Sequence, residues 1–322
     1  VLFSFIDIIL GSVIIPFKDI LKSIFSSQEI ESAYNTIIFD FKLPKLYTAI
    51  IAGASLSVAG LLMQTVFRNP LAGPYVLGIS SGASLGVAIL LLGFAGILPE
   101  TYNLTGSWAT AIAAWIGAGL VLILIFLISL RVSNVITVLI IGVLIGSAIS
   151  SLVNLLQYIG SAEKLKTFIL WTMGSLGGVT KEHFYIIIPA ISAGFILAIF
   201  SIKQLDSLIL GENYAKTMGV NLLITRISVF TATTLLAGTV TAFCGPIGFV
   251  GIIVPHLARL IFDTASHKIL IPASAIIGAI MLVVSDIISQ LPGLTGTVPI
   301  NSVTAILGIP IVIKIILDKK GF

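Results

Sequence analysis

Apolar runs of about 17 to 25 residues, the length that crosses a bilayer as a helix, recur along the chain between short polar breaks. A remnant covers 1–10. Runs then follow at roughly 45–66, 76–94, 107–130 and 135–158, and in the second half at 183–202, 224–243, 247–262, 269–290 and 300–317. An outer-membrane barrel would instead show alternating segments of about ten residues. The pattern therefore predicts an all-α fold, a polytopic membrane helical bundle of about ten transmembrane helices, built as a single domain over 1–322. The first run, at 1–10, is too short to span and begins without Met or a basic n-region, so the first helix is expected to be truncated.

The polar breaks differ in kind. The stretch 205–219, LDSLILGENYAKTMG, reads as a small pair of helices. Gly211 and Gly219 stand where helices would stop, and Glu212 precedes Lys216 by four residues, the favourable order for an intrahelical ion pair. The stretch 161–171, with Glu163, Lys164 and Lys166, is too charged for the hydrocarbon core and reads as a short helix at the surface. The longest polar stretch, roughly 16–45, reads mainly as a solvated connector, with Lys42 and Lys45 set apart at the mouth of the next helix. Of the 17 lysines and arginines, ten fall on the side that carries 205–219 and seven on the other. Short loops rich in Lys and Arg favour the cytoplasm, which places the helical knob and both termini there and the 16–45 stretch outside.

Composition sharpens the class. The chain is 57% hydrophobic and 9% charged over 322 residues, with mean hydropathy +1.18, far from soluble domains. The single cysteine, Cys244, excludes an internal disulfide and reads as a buried structural thiol. No GxxxxGK[ST] loop and no HExxH pair occurs, and His183, His256 and His267 are far apart in sequence. ATP hydrolysis by this chain is not expected, nor a metal site, a cofactor or a nucleic-acid partner. Energy from nucleotide would have to enter through another subunit, with the cytoplasmic knob as the place to grip. Asp286 is the clear ionisable residue inside a run, and it reads as a hydrogen-bonded structural carboxylate ahead of a transport site. So few intramembrane charges argue against an ion-coupled carrier.

Small and helix-breaking residues add local predictions. Gly78, Gly82 and Gly86 recur every four residues, and Gly142 and Gly146 repeat the spacing, so these faces are expected to pack against helices of the same subunit. The stretch 68–74, RNPLAGP, reads as a cytoplasmic turn in which Asn69 satisfies loose backbone groups. The stretch 245–249, GPIGF, is apolar and rich in breakers, so its backbone must turn at membrane depth while shielded by protein.

Several of these motifs in order resemble the FecCD family of permeases, the membrane subunits of ABC importers for iron siderophores, haem and cobalamin. The resemblance is carried by Leu43-Pro44, by Gly53-Ala54-Ser55-Leu56 with Gly60 and Gln64, by Arg68-Asn69-Pro70-Leu71-Ala72, and by Gly78-Ile79-Ser80-Ser81-Gly82-Ala83. It continues through Trp171-Thr172-Met173-Gly174, Leu210-Gly211-Glu212 with Ala215 and Gly219-Val220, and Gly245 to Gly251 with Pro255-His256 and Arg259. These motifs are specific for the family and barely specific for cargo.

The resemblance implies a type II ABC importer architecture in the bacterial inner membrane. Two copies of the permease form a homodimer, served by two cytoplasmic ABC ATPase subunits and by an extracytoplasmic substrate-binding protein. It implies that 204–220 forms coupling helices, with Leu205, Leu208, Gly211, Glu212, Ala215, Lys216, Met218 and Gly219 engaging the ATPase. Asn69 and Leu71 would form an inner gate, and Ser133, Asn134 and Val135 correspond to a second gate region, with residue types that differ from the family's usual ones. Lys42 and Lys45 would dock the binding protein, and a third basic docking position is Gln290 in this chain. The alternative is a secondary active transporter working without ATPase subunits. A third class, an intramembrane enzyme or scaffold, is disfavoured by the lack of paired catalytic residues across the spans.

Overall fold

The computed structural model describes Phe3, Asp7 and residues 36–93, 107–132, 134–290 and 297–317. Thirteen α-helices are numbered here in chain order. They are α1 (Leu43–Phe67), α2 (Ile79–Ala88), α3 (Ser107–Arg131), α4 (Val135–Ile159), α5 (Ala162–Thr172), α6 (Phe184–Phe200), α7 (Ile202–Ile209), α8 (Glu212–Thr217), α9 (Leu222–Thr233), α10 (Thr239–Cys244), α11 (Val250–Phe262), α12 (His267–Ser289) and α13 (Ile300–Leu317). Among the described residues, six continuous helical stretches are long and apolar enough to cross a membrane, and three shorter apolar ones accompany them. Most of the run at 1–10, and most of the connector expected at 16–45, lie outside the described residues.

The connector reading fails for its last part. Ile37–Lys42 is a π-helical turn that runs into α1, giving one helical stretch over Ile37–Phe67. Pro44 does not break it, because a proline in the first turn of an α-helix costs no intrahelical hydrogen bond. A second π-turn, Thr234–Gly238, joins α9 to α10 in one span, Leu222–Cys244.

Helix α1 is the centre of the bundle. It packs against α12, α11 and α9, and most of its length is buried, as expected of a helix apolar on all sides. Its hydroxyls bond back to their own helix, Thr48 to the Pro44 carbonyl at 2.7 Å and Ser57 to the Gly53 carbonyl at 2.6 Å, so they cost little in an apolar setting. The α1–α12 crossing is closed by Gly53 and Gly278, where a Cβ on either residue would overlap the other's carbonyl. A second block is α2 against α3 and α4. Gly82 meets Gly117, Gly86 meets the Ala113 carbonyl, and Gly142 lies against the backbone of Val76 and Leu77. Both glycine strips therefore pack within the subunit, as their spacing predicts.

The break at 245–249 turns at depth with its backbone satisfied by protein. The Gly248 amide donates to Asn301 Oδ1 at 2.9 Å, the Ile247 amide donates to the Tyr75 hydroxyl at 3.3 Å, and the Cys244 carbonyl accepts from the Ser175 amide at 2.8 Å. Three elements distant in sequence thus supply the partners that lipid cannot. Cys244 is buried, in line with a structural thiol.

Candidate functional site

The knob after α6 is the pair α7 and α8. Helix α7 buries Leu205, Ser207 and Leu208 and packs against α1, α12 and α6. Gly211 sits between the two helices at φ 121° and Gly219 follows α8 at φ 82°, a region that favours glycine, so both stop signals fall where they were expected. Ala215 is fully buried, whereas Leu210, Tyr214 and Met218 are more than half exposed and form an apolar face outside the spans.

The ion pair predicted inside α8 is corrected by the structure. Glu212 Oε1 accepts from Arg226 Nη2 on α9 at 2.8 Å, and not from Lys216. The Arg226 side chain is only 7% exposed, so a carboxylate beside it offsets a desolvation cost that a solvated lysine does not incur. That bond ties α8 to the N-terminal end of α9.

The turn at 68–74 follows directly from α1. Arg68 closes the helix in the left-handed region at φ 49°, and Asn69 Oδ1 accepts from the Leu71 amide at 2.9 Å, the local bond its side chain predicts. Leu71 is exposed. Asn134 caps α4 by accepting from the Ile136 amide at 2.8 Å, and Val135 is buried behind it. Ser133 lies outside the described residues. An open cavity of about 960 Å³ is lined by Arg68, Asn134 and Val135 together with Gly211, Glu212 and Lys216. Three stretches singled out separately in sequence therefore face one space, which Arg68 lines and Asn69 and Leu71 do not.

At the opposite end, Lys45 and Asp286 form an ion pair at 2.9 Å, with side chains 18% and 3% exposed. Gln290 Nε2 donates to Asp286 Oδ2 at 2.8 Å and to Asp7 Oδ1 at 3.1 Å. Lys42, half-buried, and Lys45 line a cavity of about 640 Å³ with Met173, Ser175 and Thr297. Asp286 is thus a paired structural carboxylate. Asp7, not singled out from the sequence, joins it, and Lys45 already has an acidic partner inside its own subunit.

Sequence reasoning also missed four links near the knob and the end of α1. Asp206 Oδ1 on α7 accepts from both the backbone amide and Nδ1 of His267, at 2.8 and 2.7 Å, and His267 Nε2 lies 2.7 Å from Thr65 Oγ1. Arg259 Nη1 donates to Gln64 Oε1 at 2.9 Å, while Gln64 Nε2 donates to the Ile252 carbonyl at 3.0 Å. Gln64, Thr65 and Arg259 are polar residues inside apolar runs, a signal that calls for a partner without saying which, whereas Asp206 and His267 fall in polar breaks.

Comparison with known proteins agrees with this geometry. The family model described as the FecCD transport family matches residues 1–318. The vitamin B12 import system permease protein BtuC of Klebsiella pneumoniae is 34% identical over 285 residues, covering 88% of this chain and 83% of BtuC. A Methanocaldococcus jannaschii protein assigned as an ABC transporter permease is 35% identical over 281 residues, covering 86% of this chain and 78% of its own length. A solved structure of an ABC transporter, assigned to the metal-chelate type and inward-facing, superposes with TM-score 0.82 at 27% identity, over 98% of this chain and 95% of that one.

Proposed function

The chain belongs to the FecCD transport family, and from that premise we propose that it is the multi-pass permease subunit of an ATP-driven importer whose cargo is a cobalamin, haem or iron-siderophore type chelate. The permease makes and breaks no covalent bonds. Separate ATPase subunits hydrolyse ATP, and an extracytoplasmic binding protein delivers cargo. BtuC, a vitamin B12 import permease, supports this cargo class, as does the metal-chelate type transporter.

The observation that carries the reading is the knob: an apolar face of Leu210, Tyr214 and Met218 outside the spans, on helices anchored to the bundle by Leu205, Leu208 and Ala215. In this reading α7 and α8 are the coupling helices. Lys216 and Gly219 lie at the contact, while Glu212 and Gly211 hold the shape that the ATPase grips. The permease is one domain that works as a homodimer in a bacterial inner membrane with its termini in the cytoplasm. Asn69 and Leu71 form the inner gate, with Asn134 and Val135 as its second part, because the shared cavity lets a moving knob act on both turns. ATPase closure acts on transport only if it favours one of two gate states over the other, and displacing α8 against that cavity is how it does so. On the outer side, Lys42 and Lys45 meet acidic residues of the binding protein, where charge complementarity orients docking. A docking carboxylate at Lys45 competes with Asp286.

The test is reconstitution of the permease with its ATPases and binding protein in proteoliposomes. Uptake that requires ATP, and that is lost in Met218→Glu while hydrolysis continues, is the expected outcome. Uptake driven by an ion gradient with no ATPase subunit present would identify a secondary transporter instead.

A further inference from the structure

The bonds around His267 form a continuous polar connection between the knob and the end of α1. We propose that His267 is a positioning residue that carries displacement of α7 to the turn holding Asn69. This rests on the coupling role given to α7 and α8 above.

Asp206 lies on α7 and is about one-third exposed, while His267, the first residue of α12, is 1% exposed. The amide of a first helical residue has no intrahelical acceptor, and Ser266 at the N-cap makes no side-chain cap. Asp206 supplies what is missing from another helix, accepting the His267 amide and Nδ1–H on one oxygen. With its proton on Nδ1 for Asp206, a neutral imidazole shares the single Thr65 hydroxyl proton at Nε2 with the Leu61 carbonyl 2.9 Å away, whereas a protonated ring donates from Nε2 to the Thr65 oxygen and leaves that proton on Leu61.

Thr65 is in the last turn of α1, and its carbonyl accepts from the Arg68 amide at 3.3 Å, one residue before Asn69. From Asp206 to Thr65 the path therefore runs through two bonds of 2.7 Å and a flat ring, and the 3.3 Å backbone bond to Arg68 completes it to the turn. The ring has no internal torsion to absorb movement, and hydrogen bonds resist lateral displacement because they are directional. The apolar contacts of Leu205 and Leu208 beside them lack that directionality. Movement of α7 relative to α1 must stretch or carry these bonds.

The test uses the full complex of permease, ATPases and binding protein in proteoliposomes. Leu71→Cys is introduced to report gate movement by its rate of labelling with a membrane-impermeant maleimide, with and without ATP. Cys244 is buried and stays silent. A separate Met218→Cys permease, cross-linked to the ATPase, reports whether the knob contacts it. Thr65→Val, nearly isosteric, removes the bond to His267 together with the hydroxyl's local bond to the Leu61 carbonyl, and leaves the Asp206–His267 bonds in place. His267→Asn keeps an amide near Nδ1 for Asp206 but not for Thr65.

Both variants are expected to keep the Met218 cross-link and ATP hydrolysis, and to reduce the ATP-dependent labelling change about fivefold, the worth of one buried hydrogen bond. Thr65→Ser should restore it. Should Thr65→Val fail to assemble, Asp206→Ala on the exposed end of the path must show the same split. Unchanged gate response with the cross-link present overturns the relay and leaves the coupling reading standing. A proportional loss of hydrolysis and labelling, without rescue by Thr65→Ser, makes His267 a purely structural residue and also overturns it. Absence of the cross-link in the parent overturns the coupling reading and the relay with it.

Discussion

Lys45→Met is expected to destabilise the protein by about 3 kcal/mol, the low end of what breaking a buried ion pair costs. Its nitrogen is 2.9 Å from Asp286, whose side chain is 3% exposed. At that separation the attraction is about 6 kcal/mol for an effective dielectric of ~20, opposed by a desolvation cost of several kcal/mol for each ion. The intact pair therefore adds little net stability. Removing the lysine is a different matter, because Asp286 keeps its desolvation cost and loses the cation at 2.9 Å, a charge that the neutral Gln290 amide at 2.8 Å does not replace. Asp286→Asn should cost less, about 1 kcal/mol, since Lys45 is 18% exposed and can turn its ammonium toward water. The double variant should stay close to Asp286→Asn, leaving about 3 kcal/mol of coupling between the sites. The assay follows from the single buried cysteine: a thiol-reactive fluorophore reports unfolding as Cys244 becomes exposed. For 322 residues at ~2.1 cal/mol/K each, 3 kcal/mol corresponds to roughly 4 °C in the melting midpoint. A shift for Lys45→Met no larger than that of an ordinary surface substitution, about 0.5 kcal/mol, would refute the pairing argument and make Lys45 a plain rim charge.

Other substitutions separate neighbouring interpretations. Gly82→Leu forces a side chain onto the Gly117 carbonyl and should prevent α2 from seating on α3, read as loss of a monodisperse detergent-solubilised species. Gly119→Ala in the same helix meets nothing within 4 Å and should melt at or slightly above the parent. Arg226→Met strips Glu212 of its partner and should lower stability by about 2 kcal/mol or more, against less than about 0.5 for Lys216→Met, with the two compared by thiol-exposure melting. Asn301→Val removes the acceptor of the Gly248 amide where lipid offers no substitute, and should cost about 1 to 3 kcal/mol in the same assay. Lys42→Glu should weaken capture of the binding protein in a pull-down most strongly at low salt, the difference fading as the Debye length falls below about 10 Å.

Features set by a few consecutive residues were readable before any coordinates. The caps at Gly211 and Gly219, the Asn69 turn, the glycine strip of α2 and the deep break at 245–249 all express backbone or spacing rules that act within one turn or one helix face. Boundaries drifted where helix geometry tolerates more than one ending. The π-turn at Ile37–Lys42 extends α1 back into what reads as connector, since a stretch as polar as Asp40 to Lys45 carries no stop signal beyond its charge. Partner choice was the largest loss. The Glu212–Lys216 spacing is a sound local rule for an isolated helix, yet the buried Arg226 outcompetes it, and burial of Arg226 depends on how α9 meets the rest of the bundle.

The polar residues within the apolar runs nevertheless constrain what the bundle can be. A charge or imidazole held out of water requires a complementary group, so Asp286 demands a donor, Arg226 an acceptor, and His267 one of each. The structure meets every demand with a residue from another element, Lys45 for Asp286, Glu212 for Arg226, and Asp206 and Thr65 for His267, and Gln290 at the end of the same helix adds a second donor to Asp286. Those partners come from the mouth around Lys45, the knob and the end of α1, the same regions that the proposed docking, coupling and gating roles occupy. The polar groups are thus concentrated where helices must keep register with one another while the apolar faces between them remain free to slide. In an apolar bundle a directional bond is the economical way to make two helices move together, and each such bond marks a place where uncoupling should be possible without unfolding.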